Sequence, residues 1–228
     1  MMQSIRKAMK RTGDNKGFTL VEMALVLIII GIIIGAVVKG KDLVRSAEQK
    51  RIYAKFLNEW RLAYLNFYDR TGRVLGDFWD TSVTPAAGGQ DGQADTNPAD
   101  GSAPTNAGQI ALTSGDTVNN PPNYRGLGQV GLGSPVTNVP NTPYQYRYID
   151  TAGTTHVLNI FFDNDAVNNY NYMLITNIPV ELALAIDTMI DGEARGNNGD
   201  FLNDTGANDW GTNPTTNVTN GARWRMKF

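Results

Sequence analysis

Residues 18–38, FTLVEMALVLIIIGIIIGAVV, form an apolar run in which Glu22 is the single ionisable side chain. At about 1.5 Å of rise per residue, a helix of this length crosses a hydrocarbon core of roughly 30 Å. The pattern then turns amphipathic without a break. Residues 41–70 contain no Pro or Gly and set Tyr53, Phe56, Trp60, Tyr64 and Phe67 at steps of three and four, one aromatic face of a continuing helix. Thr71-Gly72 offers a glycine C-cap, so one helix over 18–72 is expected, on the order of 80 Å long. Gly31, Gly35 and Gly40 are its soft points, each about 1 kcal/mol less favourable than alanine. Gly31 and Gly35 also have the spacing at which membrane helices pack closely.

Beyond residue 72 the period shortens. Residues 144–149 and 170–176 alternate and 156–162 are rich in β-formers, with Asp150–Gly153 and 163–166 as turns: an antiparallel meander of three strands. Pro179 opens a short helix to about Ile190 with Leu182, Ile186 and Met189 inward, and residues 223–228 alternate as a last edge strand carrying Trp224, Met226 and Phe228. Residues 80–108 are almost devoid of large apolar groups and read as a mobile surface loop. The fold expected is α+β, a long N-terminal helix packed on a small antiparallel sheet within a head of residues 73–228. GLGQVGLG at 126–133 lacks both the Lys-Ser/Thr of a phosphate loop and a preceding strand, which argues against nucleotide binding.

Charge changes the picture at the N-terminus. Residues 1–17 hold five basic side chains and one acid; without them the totals of 20 Lys and Arg and 22 Asp and Glu fall to 15 and 21. The remainder is mildly acidic and has no overall basic field for nucleic acid. Basic residues flank both ends of the apolar run, Lys39, Lys41 and Arg45 following it, so they do not orient it. No cysteine is present, which excludes disulfides, thiol nucleophiles and Cys-ligated zinc.

Lys16-Gly17-Phe18-Thr19-Leu20-Val21-Glu22 resembles the processing site of type IV pilins and type II secretion pseudopilins: a basic leader, a Gly-Phe junction, an acid four positions on, and an apolar helix. The resemblance implies a leader of residues 1–17 removed by a prepilin peptidase between Gly17 and Phe18, with N-methylation of Phe18. It further implies that Glu22 meets the Phe18 amine of a neighbouring subunit during assembly, since two opposite charges in an apolar medium are each costly alone and tolerable as a pair. On this resemblance the chain is a structural subunit of a pilus or pseudopilus, not an enzyme. Its partners are then its own copies in a helical filament, the peptidase and the inner-membrane assembly machinery, with the head periplasmic or extracellular. The alternatives are a minor tip or priming subunit whose head binds a surface, DNA or a secreted protein, and a membrane-anchored domain that never polymerises. Arg70–Asp77 is similar to the turn closing the long helix in prepilin-like proteins, with Leu75 where a proline is usual. The aromatic face reads as the seat of the sheet, its alternative being an electron path through an assembly.

Asp187, Asp191, Glu193, Asp200 and Asp204 are hard oxygen donors close in sequence, and Asp187 and Asp191 share a helix face. Their Ile-Asp-Gly context resembles a loop that some pseudopilins fix with Ca2+, which makes calcium the one cofactor to consider; the other reading is a solvated, turn-capping acidic loop. His156, the single histidine, reads as a packed strand residue.

Overall fold

The computed structural model describes residues 17–77, 92–94, 112–115, 126–165, 167–204, 209–218 and 221–227. Residues 1–16 of the leader, nearly all of the 80–108 loop and Phe228 lie outside these. Two compact units divide the chain, residues 1–46 and 47–228.

The first unit holds most of helix α1, Leu20–Ile52. Its large apolar side chains are exposed throughout, from Leu20 at 90% to Val38 at 56%. Among the described residues none covers them, and the helix is long and apolar enough to cross a membrane. Helix geometry is regular through Gly31, Gly35 and Gly40. The departure comes instead at Tyr53–Leu57, a π-helical turn, after which α2 (Asn58–Thr71) ends at Gly72. There a φ of 68° lets the Gly72 N–H reach Tyr68 O at 2.7 Å, the expected glycine cap. The wide turn holds an extra residue, which the step of three and four in the aromatic face does not betray.

The second unit is built on a five-stranded antiparallel sheet: β1 (Gln145–Ile149), β2 (Thr155–Asp165), β3 (Tyr170–Thr176), β4 (Phe201–Asn203) and β5 (Ala222–Arg225), in the order β1-β2-β3-β5-β4. The meander is as the alternation predicts, except that β2 runs on to Asp165 and its turn falls at residues 167–169. The last strand is not an edge. β5 lies between β3 and β4, and the edge goes to β4, a three-residue strand too short to show a period in the Asn- and Gly-rich tail.

One face of this sheet receives the aromatic face of the helix. Phe56 meets Tyr146 at a ring-centroid distance of 5.0 Å, Tyr64 stacks on Phe162 at 4.8 Å, and Tyr53 meets Trp224 at 5.9 Å. Trp60 is fully buried and donates its indole N–H to Pro143 O at 3.2 Å. Aromatic burial of this kind, 150–250 Å² for each ring on the order of magnitude usual for such side chains, makes the stripe a core element. Helix α3 (Val180–Ile190) starts at Pro179 and buries Leu182, Ala183 and Ile186, while Met189 is only half-buried. Leu75, in the place of the usual proline, is wholly buried.

The outer edge of β1 is already occupied. Gln145 N–H donates to Thr142 O at 2.9 Å and its carbonyl accepts from the Thr137 hydroxyl. Arg147 donates to Asn138 Oδ1 at 2.7 Å and its carbonyl accepts from Asn138 Nδ2 at 2.8 Å. A single amide side chain stands where a neighbouring strand would bond.

Candidate functional site

Gly17, Phe18 and Thr19 precede the helix, so the Gly17–Phe18 peptide bond lies outside helical hydrogen bonding. Phe18 is 80% exposed. The helix begins where it does because Thr19 caps it. Glu22 N–H donates to Thr19 Oγ1 at 3.2 Å, and Glu22 Oε2 in return accepts the Thr19 backbone N–H at 2.8 Å and hydroxyl at 3.0 Å. This reciprocal box satisfies two of the amides that a helix start leaves unpaired, and it sets a carboxylate at the positive end of the helix dipole. Both Thr19 donors converge on Oε2, and Oε1 has no partner among the described residues. One oxygen of Glu22 therefore stays open to a further donor, such as an ammonium group.

The sequence predicts Glu22 as an isolated charge awaiting a partner; the structure gives it one within its own first turn. The signal was present in Thr19-x-x-Glu22, the capping-box spacing. Gly31, Gly35 and Gly40 each face open space, with no atom within 4 Å of the position a Cβ would take. They leave the α1 backbone approachable.

The five acids considered for calcium are dispersed among protein donors. Asp187 is fully buried and its Oδ2 accepts the Trp210 indole N–H at 2.6 Å. Burial raises its pKa from 3.8 to about 6, the Trp210 bond opposing and the nearby Asp191 charge adding to the rise. Asp187 Oδ1 has no hydrogen-bond partner among the described residues. Asp191 Oδ2 takes the backbone N–H groups of Asp200 and Phe201 at 2.9 and 2.8 Å. Gly199, at a φ of 104°, passes so close that a Cβ there would lie 2.4 Å from this oxygen. Glu193 pairs with Arg195 on the surface, Asp200 with Lys227, and Asp204 with Arg223. Among the described residues no group of three acidic or histidine side chains is placed to hold a metal ion. Asp191 in this way braces a turn, and Asp209 does the same by accepting from Gly196 and Trp210 N–H.

His156 is the packed residue expected, with partners that periodicity does not reveal: Nε2 lies 2.8 Å from Asp150 Oδ2 and Nδ1 2.8 Å from Asn217 Oδ1. The His156 bond, with the Ala152 and Thr154 amides, holds Asp150 below the usual carboxylate range against its burial. This clasp ties the β1–β2 turn to the segment paired with Pro179. Both ring nitrogens are taken up by Asp150 and Asn217, which gives the constellation the form of a brace.

A family model described as the prokaryotic N-terminal methylation motif matches residues 13–38. No curated protein and no solved structure matches the chain. Capped helix start, open carboxylate oxygen and uncovered apolar helix all fall in the matched stretch or its immediate continuation, and over residues 13–38 the chain carries the N-terminal methylation motif that is the signature of type IV pilins and pseudopilins.

Proposed function

We propose that this chain is the precursor of a structural subunit of a type IV pilus or type II secretion pseudopilus, stored in the inner membrane and polymerised through its N-terminal helix. A prepilin peptidase cuts between Gly17 and Phe18 and methylates the new Phe18 amine. The observation that carries the reading is the Glu22 carboxylate, half satisfied by Thr19 and half open, at the start of an apolar helix with no cover of its own. In hydrocarbon an ionised carboxylate is expensive, and the Thr19 donors lessen that cost while the subunit waits. The amine of a neighbour then supplies the opposite charge, and the pair fixes which helix lies beside which. Gly31 and Gly35 leave room for close helix approach once copies gather.

Mass spectrometry of isolated filaments tests the reading: the expected subunit begins at a methylated Phe18 and dominates the preparation. A subunit that still carries residues 1–17 refutes it, and a scarce one assigns the chain to the tip. Glu22→Ala is expected to leave membrane insertion intact and to abolish or misregister assembly; unaffected filaments would count against the pairing.

A further inference from the structure

Charge returns to helix α1 at the residue after Val38. Lys39 and Lys41 are exposed on regular helix, and neither enters an ion pair among the described residues. Arg45 follows one turn on from Lys41, on the same side and half-buried. Over residues 39–51 five basic side chains stand against two acids, Asp42 and Glu48, and Glu48 is taken up by Arg51 at 3.2 Å. This stretch of helix is therefore net positive.

The apolar run fixes the depth of these ammonium groups. With residues 18–38 in the hydrocarbon core, the Cα atoms of Lys39 and Lys41 lie about 1.5 and 4.5 Å past its edge along the axis. A headgroup layer is about 5–7 Å thick on each side, so both lysines stand within it. Two residues of helix turn by about 200°, which sends the two side chains to nearly opposite sides. Gly40 between them faces open space, with no atom within 4 Å of the position a Cβ would take. No side chain there bars a headgroup from the helix surface. Basic residues at this end also oppose the orienting bias of a basic leader. A gain within the headgroup layer offsets that loss.

We propose that Lys39 and Lys41 each bind the headgroup phosphate of an anionic phospholipid in the leaflet that the helix reaches at Val38. A zwitterionic headgroup carries its own cation beside the phosphate, which repels a lysine, whereas an anionic one keeps a net negative charge. Lipid is favoured over a protein partner because the span holds both ammonium groups at phosphate depth before any other molecule arrives. The inference rests on the membrane-stored part of the reading above, and it names the lipid that the stored subunit keeps beside it.

The test uses the full chain in vesicles of phosphatidylcholine and phosphatidylglycerol, with a spin-labelled form of either lipid reporting how much is immobilised at the protein. Phosphatidylglycerol is expected to be preferred about fivefold, the selectivity that one lysine near an anionic surface supplies. K39Q/K41Q should lose most of that preference. K50Q should keep it, since Lys50 lies about 18 Å past Val38, beyond the headgroups. Equal immobilisation of the two lipids by the wild type overturns the inference, as does a preference that survives in K39Q/K41Q or is lost equally in K50Q. Should K39Q/K41Q fail to insert, salt decides on the wild type: at about 1 M, where screening acts within about 3 Å, the preference should collapse, and an unchanged one overturns the inference. A wild-type chain that does not float with the vesicles refutes membrane storage itself; one that floats without preference refutes the lipid contact alone.

Discussion

Replacing Asp187 by Asn removes one charge from the interior of the head without altering its shape. Asp187 is fully buried, and its pKa is raised from an ordinary 3.8 to about 6, chiefly by burial. Because the folded state holds this proton more tightly than the unfolded chain, the carboxyl costs no stability below about pH 4. Its penalty grows as pH rises between about 4 and 6 and is complete above that. A shift of about 2 pH units corresponds to about 3 kcal/mol at neutral pH. Asn keeps an acceptor for the Trp210 indole but gives up a charge-assisted bond worth about 1 kcal/mol more than a neutral one. The net expectation at pH 7 is about 2 kcal/mol of stabilisation, or roughly 4–8 °C in Tm for a chain of this size. The assay is thermal unfolding of the detergent-solubilised chain at pH 4.5 and pH 7, Asp187→Asn against wild type. The variant should gain at pH 7 and lose most of that gain at pH 4.5. An equal or lower Tm at pH 7, or an advantage that does not change with pH, would refute the reasoning.

Three further expectations use the same structure. Thr19→Val removes the cap hydroxyl, worth about 1 kcal/mol, so Glu22 amide hydrogen exchange should quicken about 5-fold by NMR in micelles, with Thr19→Ser close to wild type. Trp60→Ala leaves a cavity beneath the sheet and should cost about 3–5 kcal/mol, read as a fall in the urea midpoint at unchanged m. Since Asp187, Asp191, Glu193, Asp200 and Asp204 are each engaged by protein donors, chelation of divalent cations should leave Tm within about 1 °C; a larger fall would show that a cation bridges them.

What the sequence made legible is what repeats. The aromatic stripe from Tyr53 to Phe67 keeps its period for four turns, and the meander alternates long enough to be counted, so both fell where expected. Features made by distant partners left no such trace. Asp187 looks like a solvated helix acid until Trp210, 23 residues on, is seen covering it. His156 acquires Asp150 from a nearby turn and Asn217 from 61 residues away. β4 has three residues and no room for alternation. The Thr19–Glu22 box is different: its spacing was in plain view, and an acid read only as a neighbour's partner obscured its role in its own helix.

The Asn138 amide on the rim of β1 bears on how copies avoid one another. A population of subunits crowded side by side in a bilayer would, with bare sheet rims, be free to splice head to head through backbone ladders into disordered aggregates. With that rim closed by its own polypeptide, the heads cannot zip together there.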